Sequence, residues 1–195
     1  MTLKHILIAL ACMATLTGQA KTRKALYVIM DGVEPHFLES VRPTTVFDIA
    51  AAGHYGRAFC GGEVGQPNQT VTISAVGYTN ILTGTWQNKH NVLGNSDIHT
   101  NYNYWNIFRI AKEQARPVKT AVFTSWTDNR TLLVGEGQPG NANLKVDYIV
   151  DGMDLDTVRF PKKPMDLQIY DIDSTVCARA ADCVRQEAPD LSWVY

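Results

Sequence analysis

Ala25-Leu26-Tyr27-Val28-Ile29-Met30-Asp31-Gly32 is the stretch on which the fold reading turns. Six apolar residues run without interruption, rich in strand formers, and stop at an Asp-Gly pair. A run with no polar alternation reads as a central strand buried on both faces, the kind found in parallel sheets. Downstream, strands and helices alternate. Pro43 to Ala52 reads as a helix stopped by Gly53, and Gly56 to Cys60 as a short strand. Gly61 to Thr70 is loop, Ser74 to Leu82 a helix opened by a serine cap, and Trp86 to Thr100 polar and irregular. Trp105 to Gln114 reads as a helix with Pro117 beyond its end. Thr120-Ala121-Val122-Phe123 reads as a strand, and Leu144 to Val150 as another. Asp173 to Glu187 is an amphipathic helix capped by Asp173 or Ser174, and Leu191 to Tyr195 begins a strand. The alternation predicts an α/β domain with a mainly parallel sheet. Ligands of such sheets bind at the carboxyl ends of strands, which singles out Asp31, the turn after Cys60, and Trp126.

Upstream, Lys4 and His5 precede an apolar run from Ile6 to Leu16, followed by Thr17-Gly18-Gln19-Ala20. Small residues at −3 and −1 predict cleavage of a secretory signal, residues 1–20, after Ala20. The run is too short to span a bilayer. A buried N-terminal helix, or a lipoprotein cut before Cys12, are the other readings; either of the export readings takes the protein to the periplasm or beyond. Residues 21–195 suffice for one domain with a real core. The net charge is −1 with no basic run, which argues against a nucleic-acid polymer as partner. No later stretch is apolar enough for a membrane span, and nothing sets the oligomeric state. Of the cysteines, Cys60, Cys177 and Cys183 follow the signal. Cys177 and Cys183 lie about 9 Å apart along a helix axis, beyond disulfide reach. A bridge from Cys60 to either stays open, and the absence of Cys-x-x-Cys argues against a cysteine zinc site.

Three residues carry chemical promise. Asp31, at a strand end, is placed to bind a cation, although Asp-Gly is also a common turn pair. Ser74, opening a helix, is either a plain cap or a nucleophile set in the helix's positive field. A free serine needs a base or a metal to ionise it. No Gly-x-Ser-x-Gly elbow is present, so metal activation is the simpler route. The third is Asn95, closing the most distinctive stretch, Leu82-Thr83-Gly84-Thr85-Trp86-Gln87-Asn88-Lys89-His90-Asn91-Val92-Leu93-Gly94-Asn95.

Taken with Val28 to Gly32 and Ser74, that stretch resembles the alkaline phosphatase superfamily, in its type I phosphodiesterase / nucleotide pyrophosphatase branch. In that branch an aspartate follows the first strand. A threonine or serine nucleophile opens a helix that runs into Thr-Gly, an aromatic, His-Gly and an Asn. Ser74 lies nine residues before Thr83 and twenty-one before Asn95, as the pattern wants. The resemblance implies a three-layer α/β/α sandwich with two divalent metal ions, usually zinc. It implies that Asp31 and Ser74 ligate one metal, and that Asn95 hydrogen-bonds a phosphoryl oxygen. Hydrolysis of a small phosphate ester would pass through a phosphoserine.

Asn91 departs from the pattern's glycine, and serine replaces the branch's usual threonine, which leaves diester, pyrophosphate, monoester and phosphonate substrates open. The remaining metal ligands of the family have no counterpart before Tyr195. The chain therefore reads as the N-terminal part of a catalytic domain, interrupted in a strand and inactive alone. His90 reads as structural, and His36, His54 and His99 fall outside the pattern. A sulfatase is disfavoured because Ser74 lacks the Cys/Ser-x-Pro-x-Arg context. A non-catalytic periplasmic binding or interaction module is the reading from a different class.

Overall fold

The computed structural model describes residues 23–114 and 117–195, so the expected signal segment lies outside the described residues. In chain order the elements are β1 (Ala25–Val28), α1 (Pro35–Val41), α2 (Thr44–Ala52), α3 (Ser74–Thr83) and α4 (Gln87–His90). Then come α5 (Ile107–Lys112), β2 (Thr120–Phe123), β3 (Tyr148–Val150), α6 (Gln168–Glu187) and β4 (Leu191–Val194). The four strands form one all-parallel sheet in the order β1-β4-β2-β3. Ala25 pairs with Leu191, Ala121 with Ser192 and Ala121 with Tyr148. Parallel neighbours need long crossovers, which puts helices on the faces of the sheet.

Side chains alternate across the sheet, so each strand feeds two cores. Val122 and Trp193 point to one face, where Val76 and Leu82 of α3, Phe108 and Leu133 pack on them. Ala121 and Phe123 point to the other, against Ile172, Val176 and Ala180 of α6. Those three recur every fourth residue, which makes one stripe along the helix. Trp193, Phe108 and Phe123 are fully buried, each contributing about 1.5–3 kcal/mol.

Several expectations are corrected. Among the described residues β1 lies at an edge of the sheet rather than at its centre. Tyr27 and Ile29 join the α3-side core, but Leu26, Val28 and Met30 are 58%, 52% and 51% exposed because no described helix covers their side. Gly56 to Cys60 is not a strand. Its Arg57 donates instead to Glu39 of α1, as does Tyr55 just before the segment. The following turn needs glycine. Gly62 has φ +67°, and a Cβ there would meet the Asn68 carbonyl at 1.9 Å. α1 itself was not foreseen, though Pro35 at its first position is an ordinary start signal. α6 begins at Gln168, so neither Asp173 nor Ser174 caps it. α5 begins later than expected, at Ile107, with Asn106 accepting from the Phe108 and Arg109 amides.

A π-helical turn, Asn129–Val134, also escaped the sequence reading. Distant side chains serve its carbonyls. Tyr102 and Thr100 donate to Leu132 O at 2.7 and 2.8 Å, and Asn106 and Asn141 to Val134 O at 2.8 Å. Cys60, Cys177 and Cys183 are free thiols. Among the described residues no helix is long and apolar enough to cross a membrane.

Candidate active site

The β1 ladder continues one residue past the strand, Ile29 N donating to Val194 O at 3.0 Å. The chain then turns at Asp31-Gly32, with Gly32 at φ +70°. This delivers the Asp31 carboxylate to the carboxyl edge of the sheet. α3 meets it there. Ile73, extended at φ −134° and ψ 142°, is the N-cap, and Ser74 is the first helical residue. Ser74 is therefore not a cap. Its hydroxyl turns outward and donates to Asp31 Oδ2 at 3.0 Å.

The cap role passes to Asn95. Its Oδ1 accepts from the Ala75 amide at 2.9 Å, satisfying one of the donors a helix start leaves open. That bond also sets the amide's orientation, leaving Nδ2–H groups free to donate toward the cleft. The segment that carries Asn95 is anchored by His90, which is fully buried. His90 Nδ1 stands 3.1 Å from Val92 N, which donates to it. Nε2 lies 2.7 Å from the side-chain amide of Asn80 in α3, whose nitrogen, turned to this side, also donates to the Thr85 carbonyl at 3.1 Å. Burial holds the His90 pKa down to about 4. The segment's turns explain two motif positions. Gly84 ends α3 at φ +66°, and Asn91 sits at φ +62°. That left-handed conformation suits glycine and is tolerated by asparagine better than by most residues.

Beneath Ser74, one turn on, Tyr78 is 4% exposed. Ser74, Asp31 and Tyr195 surround its hydroxyl, yet none stands in hydrogen-bond geometry with it. Burial, before any neighbour, raises the Tyr78 phenol well above its ordinary range, so it stays protonated. Burial also raises that of Tyr195, with the Asp31 charge adding to it.

Asp31, Ser74 and Asn95 line a single cleft of about 600 Å³. Trp126, flagged by its place after β2, lines it too. The turn after Cys60 does not. Phe160, Ile169 and Ile172 form an apolar wall, and Asp154, Lys162 and Asp166 bring charge. Asp154 accepts from Thr127 N at 3.1 Å and from Thr127 Oγ1 at 2.6 Å, tying the turn after β3 to the turn after β2. The sequence reading missed Asp154, Phe160 and Lys162. The end of β3 was the available signal for Asp154; Phe160 and Lys162 had none. His36 and His99 lie elsewhere, paired with Glu34 and Asp97 on the surface.

The Ser74 and Asp31 oxygens, 3.0 Å apart, fit two corners of a cation site. Two oxygens on one tetrahedral zinc, each at about 2.0 Å, stand about 3.3 Å apart. They do not complete a site: among the described residues no three His, Cys, Asp or Glu side chains gather as ligands. No family model matches the chain, and neither a curated protein nor a solved structure matches it.

Proposed function

We propose that this chain carries the nucleophile side of an exported, metal-dependent hydrolase of small phosphate esters, on an alkaline phosphatase-like three-layer α/β/α domain. One observation carries the reading. Three residues picked from separate parts of the sequence converge on one cleft, with Ser74 Oγ bonded to the Asp31 carboxylate and Asn95 bonded to the next amide of the same helix. Cores on both faces of the parallel sheet support the layered fold.

In the reaction, Ser74 Oγ forms a bond to phosphorus while the ester P–O bond breaks and the alcohol leaves. The serine proton departs on the side of Asp31 Oδ2, toward which it already points. Water then attacks phosphorus and breaks the Oγ–P bond, a proton returning to Oγ, and releases phosphate from a monoester or a phosphate monoester from a diester. The α3 N-terminus favours the negative phosphoryl group, and the free Asn95 Nδ2–H groups donate to one of its oxygens. Two divalent metal ions, zinc by resemblance, would supply the charge that favours ionised serine and neutralises the phosphoryl oxygens.

The cleft's own charge supports the metal requirement. Three carboxylates, Asp31, Asp154 and Asp166, face one ammonium, Lys162. That balance repels a phosphate ester until cations are added. Asp31 and Ser74 would share one ion, with its other ligands lying outside the described residues. A non-catalytic interaction module is the second reading, favoured by the exposed row Leu26, Val28 and Met30.

Ser74→Ala in the full-length gene product tests the proposal. Hydrolysis of p-nitrophenyl phosphate mono- and diesters should vanish. Stability should fall by no more than about 1 kcal/mol, because only one partly exposed hydrogen bond is lost. Near-normal turnover by Ser74→Ala with normal zinc content would overturn the assignment of the nucleophile. Wild-type protein with no turnover under any divalent metal would leave the interaction module standing instead.

A further inference from the structure

The segment that follows β3 forms one wall of the cleft. Met153 and Phe160, 5% and 8% exposed, anchor it in the core on the α6 side. Thr157, Phe160, Lys162 and Asp166 line the cleft. Leu155, Val158 and Met165 do not, and they stand 71%, 93% and 87% exposed. Single exposed apolar residues are ordinary. Three of them on one short segment at the mouth of a cleft mark an interaction surface.

Charge says what the surface fits. Val158-Arg159-Phe160-Pro161-Lys162-Lys163-Pro164-Met165 holds three cations and no carboxylate. The carboxylates around it are engaged nearby. Asp154 accepts from Thr127, and Asp156 from the Arg159 amide at 2.9 Å. Asp166 lines the cleft and accepts from Gln168 at 3.3 Å. Asp171 pairs with Lys163. Arg159 and Lys162 are exposed. Protein interfaces disfavour lysine, whereas apolar tips set among lysine and arginine suit a lipid headgroup layer. We infer that residues 155–165 are a docking surface for a bilayer that carries anionic lipid. Leu155, Val158 and Met165 enter the acyl boundary, and Arg159, Lys162 and Lys163 meet lipid phosphates. Attachment by one such element is reversible. The mouth of the cleft then faces the bilayer. The inference goes beyond the phosphate-ester reading and does not need it.

Co-sedimentation of the full-length gene product with phosphatidylcholine vesicles, with and without phosphatidylglycerol, tests it. Wild type should pellet with the anionic vesicles at low salt and be released at about 0.5 M salt. The triple variant Arg159→Gln, Lys162→Gln, Lys163→Gln should bind them about 10- to 100-fold more weakly. Each charge is worth about five-fold, and Lys163, shared with Asp171, counts least. The double variant Val158→Asp, Met165→Asp should lose at least about 10-fold. Both should keep the wild-type thermal midpoint, because every altered side chain is exposed. Ser74→Ala should bind vesicles like wild type, so that docking and turnover are judged separately. Absence of binding by wild type at low salt overturns the inference. Binding that neither loop variant weakens also overturns it, since another patch then makes the contact. Self-association that the double variant abolishes, without vesicle binding, would make the segment a protein interface instead.

Discussion

Acid should unlock the Asn95 segment through a single buried imidazole. His90 is fully buried, its two ring nitrogens hydrogen-bonded to Val92 N and to the side-chain amide of Asn80. Its pKa is held down to about 4 from the ordinary 6.5. Between those two values the unfolded chain binds a proton at this position and the native protein does not. Stability from this group is therefore complete above pH 6.5 and is lost as pH falls toward 4. At about 1.4 kcal/mol per pH unit, the loss amounts to about 3 kcal/mol. Carboxylates titrate in the same range, so the measurement is a difference. Urea melts of wild type and His90→Gln from pH 7.5 to 4, with constant m-values, isolate the histidine. At neutral pH His90→Gln should be less stable by about 1–3 kcal/mol, because its neighbours lose a fitted partner. That advantage of the wild type should shrink steadily below pH 6.5 and level off near pH 4. Two stability curves that run parallel through this window would refute the reasoning.

Asp31→Asn should weaken zinc binding, since it removes a charged oxygen from the pair, and excess zinc should restore part of the lost activity. Isothermal titration with zinc in the full-length protein checks this, and an unchanged affinity counts against Asp31 as a ligand. Asn95→Ala should cost on the order of 10²–10³ in kcat with metal content unchanged, as expected for one lost transition-state donor. It should also cost about 1 kcal/mol in a urea melt, because the Ala75 amide loses its acceptor.

Much of this arrangement was legible in the sequence because it rests on local signals. The apolar run before Asp31 marks a strand, Ser74 a helix start and Asp173 to Glu187 an amphipathic helix, each from neighbouring residues alone. What escaped depends on context. An apolar run does not reveal how many neighbours a strand has, so β1 reads as central although among the described residues it lies at an edge. Gly56 to Cys60 has strand-like residues, but no described strand pairs with it. The π turn from Asn129 exists because Tyr102, Thr100, Asn106 and Asn141 reach it from other segments. Ser74 looked like a cap. Only the arrival of Asn95 at the Ala75 amide frees its hydroxyl for Asp31. Asp154 and Lys162 enter through loops, where side-chain direction leaves no periodic trace.

The strand order has a consequence in time. β1 finds its only described neighbour in β4, at the far end of the chain. The segment bearing Asp31 is made early and must wait, unpaired, until the last described strand emerges. β2 and β3 lie close in sequence and can associate long before that. Such distant pairing pays its loop-closure entropy late and slows folding. Until then an apolar edge strand stands open to the wrong partner, a hazard for any chain that leaves the ribosome one residue at a time.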